Sequence, residues 1–404
     1  MAGKALDKTN YDYLLVVIVA ALLVLGLLMV YSTTFALDRD QPTYYIVRQL
    51  TAAGIGIVVC LIIARLPYHS WRKLSIPIMA GSLLLLIVVL IIGELRFGAK
   101  LALLGGSLQP SEVAKLAVIV YVSDWLTSKG DKIRHVTYGL IPFAILIGLV
   151  AALIMAQPDL GTATLVVFTA IVMFFLAGAD LVQLVIGVLV SGATLALVVT
   201  RMPHAQSRLA EFWTSVTDPV AKGGFQIQQG LIALGVGGIF GRGLGDSQRK
   251  LALLPLPHSD SIFAVIGEEL GLIGCLIVIG LFSALAYRGF RIAVQAPDTF
   301  GMILGSGITC WLVSQALINV AVITASAPFT GITLPFISYG GSSMVSSLAA
   351  VGLLLSISKG TREEDVRVYA NLDLGGRDRR ARLPAVGRRS GAGRRRKSED
   401  ESDD

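Results

Sequence analysis

Charge is what this sequence has least of. Only 15% of its 404 residues are Asp, Glu, Lys or Arg, against about 25% in an average soluble domain. A soluble fold needs charged groups to cover its surface, so a soluble globular enzyme is excluded. Cysteine is scarce too: Cys60, Cys275 and Cys310 stand far apart inside apolar runs. No two share a metal-ligand or redox spacing, which argues against a disulfide scaffold and a cysteine zinc site. The four histidines show no ligand spacing either. No internal repeat is visible, so the inverted-repeat signature of many transporters is missing. What abounds is apolar side chain, 54% of the chain, with a mean hydropathy of +0.73. That excludes a disordered chain and describes an integral membrane protein built of many helices.

A helix needs about 20 mostly apolar residues to cross the hydrocarbon. Such runs occur at 12–35, 45–64, 74–93, 111–127, 138–156, 160–178, 181–200, 261–287, 300–324 and 341–358. The expected fold is therefore an all-α polytopic membrane protein of ten transmembrane helices. The connection between the seventh and eighth, residues 201–260, is long enough to be functional. Its amphipathic piece from Gln226 to Leu234 predicts short helices at the membrane surface.

Lys and Arg set the orientation. Lys4, Lys8, Arg65, Arg72, Lys73, Lys129, Lys132, Arg134, Arg288 and Arg291 fall at one set of ends, and Arg39, Arg48, Arg96 and Lys100 at the other. The richer set is read as cytoplasmic, which places both termini inside and the 201–260 connection outside. Residues 1–11 are then a cytoplasmic N-terminus, 12–358 the ten-helix domain and 359–404 a cytoplasmic tail. The tail is rich in Arg, Gly and Asp and is read as disordered. It holds thirteen Lys and Arg from Lys359 to Lys397. The basic pI of about 9.3 therefore reflects topology and tail, and is no sign of nucleic acid. The tail could touch anionic lipid headgroups.

Polar groups inside or at the edge of a membrane are costly and mark function. Glu112 and Lys115 follow Gln109-Pro110-Ser111 at the start of the fourth span. Three residues apart, they share a helical face and can pair, either to fix packing or to line a polar cavity. Asp159 can cap the sixth span, with or without facing a cavity. Pro257-His258-Ser259-Asp260 opens the eighth. Asp260 can be its N-cap; if Ser259 caps instead, Asp260 is free to act as a base with a raised pKa. Glu268 and Glu269, about two turns deeper, must face protein or water. Gly340-Gly341-Ser342-Ser343 opens the tenth span with backbone N–H groups able to take an anion, or with small residues that merely allow close packing. Gly241-Arg242-Gly243-Leu244-Gly245 lacks the lysine and the strand–helix setting of a nucleotide loop.

Together these motifs resemble the SEDS family (shape, elongation, division and sporulation), of the FtsW/RodA type. They are Gln109 to Lys115, Pro158-Asp159-Leu160-Gly161-Thr162, His258 to Phe263 with Gly267 to Gly271, and Pro335 to Ser343. The resemblance covers about residues 10–360. Tyr68 to Lys73, Leu108 to Glu112 and Gly245 to Lys250 sit nearer the division branch than the elongation branch. One departure is Gly98-Ala99-Lys100-Leu101, which stands in for a longer basic stretch containing tryptophan.

The resemblance implies a peptidoglycan glycosyltransferase of the bacterial cytoplasmic membrane. It would polymerise lipid II, an undecaprenyl-diphosphate disaccharide-pentapeptide, on the outer face during cell division. Asp260 would be the essential carboxylate. Arg48, Lys115, Arg242 and Lys250 are candidate cations for the diphosphate, and Glu112, Asp159, His258, Ser342 and Ser343 further substrate contacts. Gln109, Glu268 and Glu269 would shape the cavity. A divalent cation (Mg or Mn) at the diphosphate is implied as an assistant, although no dedicated metal cage is visible. The implied partner is a class B penicillin-binding protein whose single helix packs on the bundle, together with other division proteins. Two other readings use the same residues: a lipid II flippase, and a non-catalytic scaffold. The clustering of Glu112, Lys115, Asp159 and Asp260 at one end of the spans favours chemistry on one face over transport through the bilayer.

Overall fold

The computed structural model describes residues 11–35, 43–96, 99–103, 108–215, 224–247 and 254–380. The chain is almost wholly helical. It divides into two units, Met1–Arg362 and Glu363–Asp404. The long helices are α1 (Tyr13–Phe35), α2 (Tyr44–Arg65), α4 (Ser75–Ile92), α5 (Pro110–Lys129), α6 (Ile141–Met155), α7 (Leu160–Leu176), α8 (Leu181–Arg201), α11 (Ile262–Val294), α12 (Thr299–Ile323) and α13 (Gly341–Arg380). A five-residue helix, α3 (His69–Lys73), joins α2 to α4. Between α4 and α5 the chain makes a small antiparallel hairpin, β1 (Glu94–Arg96) with β2 (Ala99–Ala102). The apolar-run reading did not anticipate that hairpin, since a three-residue strand leaves no periodic trace.

Each of the ten apolar runs is helical. Among the described residues, eight helices are long and apolar enough to cross a membrane. The other two runs are α7, which is short at 17 residues, and α5, which carries the buried Glu112 and Lys115. Both pack against α12, and a helix shielded from lipid can be shorter or more polar. Burial ranks the helices. The crossing segment of α13 (Gly341–Gly360) is 78% buried and that of α8 only 6%. The crossing segment of α13 therefore belongs to the centre of its unit, and α8 is an outlying helix touching little besides α7 and the helix Pro203–Ser215 that follows it.

Among its described residues the connection 201–260 holds two helices, α9 (Pro203–Ser215) and α10 (Phe225–Gly237). The amphipathic piece from Gln226 to Leu234 lies in α10. Residues 248–253 lie outside the described residues. Of the tail expected to be disordered from Lys359, the part described, to Arg380, is assigned to α13. Thr361 to Arg380 contains no proline and many good helix formers, so a helix already formed can propagate through it. Residues 381–404 lie outside the described residues.

The eighth predicted span is interrupted. α11 breaks at Gly271, whose φ is +68°. The chain leaving α10 crosses the break and takes up the backbone groups it frees. Arg242 and Gly243 donate N–H to the carbonyls of Glu268 and Glu269, both at 3.0 Å, and Leu272 donates to the Gly238 carbonyl at 2.9 Å. Only glycine permits this approach: a Cβ on Gly271 would sit 2.3 Å from the Gly241 nitrogen. A non-glycine residue held in that backbone region costs about 1–3 kcal/mol, before the clash is relieved. Gly271→Ala is therefore expected to unfold several degrees below wild type in detergent. An unchanged melting temperature would show that the crossing contributes nothing to stability.

Candidate functional site

Asp260 stands at the mouth of α11, and the local chain explains why its carboxylate is available. The N-cap is Ser261, whose side chain makes no capping bond. Ser261 instead donates to the Pro255 carbonyl and accepts from Gln226 Nε2 on α10, at 3.0 and 2.7 Å. Neither capping option read from the sequence, Asp260 or Ser259, is the one used. The Ser259 hydroxyl donates to Asp260 Oδ1 at 2.8 Å. The backbone here is clamped by distant residues. Asn319 Nδ2 on α12 donates to the carbonyls of Asp260 (3.0 Å) and Ile332 (2.8 Å). Ser338 donates to the Ser259 carbonyl at 2.7 Å, and the Tyr339 N–H to the His258 carbonyl at 2.8 Å. The Pro335 to Ser343 motif thus works in part as a brace for Asp260.

Burial pushes the Asp260 carboxyl up to about 6. The Ser259 hydrogen bond and the Arg208 charge oppose the rise, and the Asp159 charge adds to it. His258 shares the burial and is held down at about 4, so it is neutral at pH 7 and supplies no positive charge. Its ring packs against Tyr45 and Tyr339, with centroids 4.9 and 5.4 Å away. Its Nδ1 is buried without a hydrogen bond.

A second arm comes from α5, α7 and α12. Lys115 is 2% exposed, and its Nζ donates to Glu112 Oε1 and Gln315 Oε1, each at 2.8 Å. The same Gln315 oxygen accepts from Trp311 Nε1, and Gln315 Nε2 donates to the Thr333 carbonyl. Lys115 also lies over the Trp311 ring. The pairing read from the i, i+3 spacing is therefore present, but with a third partner 200 residues away. Glu112 Oε2 is buried with no hydrogen bond. Asp159 caps α7 through the Thr162 N–H at 3.0 Å, and its other oxygen is 3.5 Å from the Ser111 hydroxyl. Burial raises the Asp159 carboxyl; Thr162 and Lys115 oppose the shift, and Glu112 adds to it. Its charge is felt at Asp260, so Asp159 both caps a helix and joins the cluster.

Gln109, Ser342 and Ser343 are tied into this arm. The Gln109 N–H donates to Ser342 Oγ, and Ser343 Oγ is 3.3 Å from Thr333 Oγ1. The remaining candidates lie apart. Arg48 is bonded to Tyr44 on its own helix. Arg242 is exposed, on the segment crossing the α11 break. Glu268 accepts from Ser247, and Glu269 from Ser32 of α1, so both acids face protein, as their depth required. Lys250 lies outside the described residues. Among the described residues, no three of His, Cys, Asp or Glu gather to hold a metal ion.

Sequence reasoning missed Arg208, Gln226, Gln315 and Asn319. The last three are uncharged, and Arg208 sits in α9 with no motif of its own. Its guanidinium lies 5.2 Å over the Phe329 ring. It lines a cavity of about 260 Å³ with Ser207, Glu211, Phe225, Gln226 and Phe329.

A family of cell cycle proteins comprising FtsW, RodA and SpoVE matches residues 13–363. Stage V sporulation protein E of Bacillus subtilis (strain 168) is 41% identical over 362 residues, 88% of this chain and 99% of that protein. A probable peptidoglycan glycosyltransferase FtsW of Trichlorobacter lovleyi is 39% identical over 89% of this chain and 96% of its own. Among solved structures, a chain of a peptidoglycan synthase complex that coordinates polymerization and crosslinking superposes with a TM-score of 0.72. It is 29% identical, over 87% of this chain and 98% of that one. The rod shape determining protein RodA of Thermus thermophilus superposes with a TM-score of 0.65 at 30% identity, over 86% and 97%.

Proposed function

This chain belongs to the FtsW, RodA and SpoVE family of cell cycle proteins and is a peptidoglycan glycosyltransferase, and we propose that Asp260 is its general base. The observation that carries this role is a half-buried carboxylate raised to about 6, released from capping and held in a turn braced by Asn319 and Ser338. At neutral pH it is ionised, yet close enough to the working pH to take a proton in the transition state.

In the proposed step the acceptor's 4-hydroxyl gives its proton to Asp260 as its oxygen bonds to the donor's anomeric carbon. The bond from that carbon to the lipid diphosphate breaks, and the diphosphate leaves with the electron pair. The substrate is lipid II. The leaving group is already activated, so a second carboxylic acid is not required, and cations to hold it matter more. Among the described residues no three of His, Cys, Asp or Glu gather into a cage for the divalent ion that the resemblance implies. Lys115, locked between Glu112 and Gln315, fixes the site's shape. The asymmetry of Lys and Arg supports cytoplasmic termini and a site on the outer face. The partner is a class B penicillin-binding protein packing its helix on the bundle, and septal synthesis during division is the setting.

Purified protein, with lipid II and a matched transpeptidase, is expected to yield glycan polymer on a gel. The acid limb of kcat/KM should have its midpoint near pH 6, with the rate falling as the base is protonated below it. Lipid II crossing vesicles without polymer would replace this reading with transport. A wild-type rate that does not fall on acidification through pH 6 would remove Asp260 as the base.

A further inference from the structure

A lipid diphosphate leaving from an anomeric carbon carries negative charge that grows in the transition state, so a preplaced cation must meet it. Of the described cations read from the sequence, Lys115 and Arg48 have side-chain partners, and Arg242 is bonded through its backbone. Lys115 is buried and shared by Glu112 and Gln315. Arg48 is bonded to Tyr44, and Arg242 sits at the α11 break. Arg208 is set apart by its charge, which is felt at Asp260. Its side chain is exposed, and among the described residues it forms no ion pair and donates no hydrogen bond. Packing over Phe329 at 5.2 Å holds the guanidinium plane and leaves its fork of N–H donors unused.

The cavity that Arg208 lines adjoins the base on two sides. Gln226, on its wall, is bonded to Ser261, next to Asp260. Phe329, also on its wall, is two residues from Gly331, where a Cβ would lie 3.5 Å from Asp260 Oδ2. At about 260 Å³ it holds part of a substrate, below the range of about 300–1,000 Å³ for whole small-molecule pockets. Phe225, Ile227 and Phe329 give it apolar wall suited to the first carbons of a prenyl chain. The acid on its lining, Glu211, accepts from Ser207 and lies against Gly224, and it makes no pair with Arg208. We propose that this cavity is the subsite for the diphosphate of a prenyl-diphosphate-linked donor, and that Arg208 holds that diphosphate. The assignment rests on the polymerase reading above and adds a binding residue to it.

The test compares full-length wild type, Arg208→Gln and Arg208→Lys, each first checked for an unchanged melting temperature. The probes are farnesyl diphosphate and farnesyl monophosphate, used for direct binding and as inhibitors of polymerisation. Wild type is expected to prefer the diphosphate at least tenfold. Arg208→Gln should lose that preference and polymerise about 10²–10³ times more slowly. Arg208→Lys should recover part of both, since it keeps the charge without the fork. Around Asp260 the charges are Arg208 on α9 and Asp159 before α7, with neutral His258 alongside. Without Arg208 the acid limb should therefore move to higher pH, a shift that a merely structural residue would not cause. Farnesyl diphosphate binding to Arg208→Gln as to wild type would overturn the assignment. So would a loss confined to the lipid-free disaccharide, which would make the cavity a sugar subsite. Diphosphate binding does not require turnover, so a wild-type protein that binds it but makes no polymer would sink the polymerase reading alone.

Discussion

Asp260→Asn protein is expected to polymerise lipid II about 10²–10⁴ times more slowly than wild type, the range for loss of a general base. Asparagine keeps the size of the side chain and can still accept from Ser259, so the local turn should survive. The backbone at 258–261 is braced by Asn319, Ser338 and Tyr339, none of which touches the carboxylate. The melting temperature should therefore stay close to that of wild type, or rise, because a carboxylate at a site that disfavours its charge is replaced by a neutral amide. The residual rate should no longer fall on acidification through pH 6. Binding of farnesyl diphosphate should be retained, which separates the base from the leaving-group subsite. Wild-type polymerisation by Asp260→Asn would leave the carboxylate without a chemical role.

The second large effect is on stability. Lys115→Met removes the cation from a pair whose side chains are 2% and 6% exposed. Glu112 is then left buried with one oxygen already lacking a hydrogen bond. Breaking a buried pair from one side costs about 3–5 kcal/mol, because the remaining charge is uncompensated. Lys115→Met should therefore unfold well below wild type in detergent. Adding Glu112→Gln should recover most of the loss, since a pair replaced on both sides by neutral groups is often tolerated. The double variant also separates packing from chemistry. Restored stability together with restored polymerisation assigns the pair to structure, whereas restored stability without polymer assigns one of its charges to the substrate. A single variant as stable as wild type would mean that the pair is not desolvated as the structure places it.

The pair shows how far sequence can be read. Glu112 and Lys115 are three apart, and helical geometry alone puts them on one face. Gln315 and Trp311 complete the Lys115 site from another helix, and no local spacing points to them. Asp260 stood out in the sequence because Pro257-His258-Ser259-Asp260 at the start of a span resembles a family motif. That it escapes capping was not legible, because Ser259, Asp260 and Ser261 are all good caps and Gln226 and Ser338 decide among them. The Gly-Gly-Ser-Ser run suggested an anion site or close packing, and the side-chain bonds of Ser342 and Ser343 to Gln109 and Thr333 follow from no local spacing. The break at Gly271 was hidden because glycine is common in membrane helices.

By itself the sequence determined that this is a membrane protein, that its apolar runs become helices, and that few polar positions could be chemical. Those properties depend on residues close together in the chain: about 20 apolar side chains in a row suffice to make a span, whatever lies elsewhere. Tertiary structure alone decided which of the few charges face one another. It locked Lys115 away, turned Glu268 and Glu269 towards serines, and set Arg208 beside Asp260 across 52 positions. Electrostatic work depends on separation in space and on the dielectric between groups, and neither is written in the order of the residues.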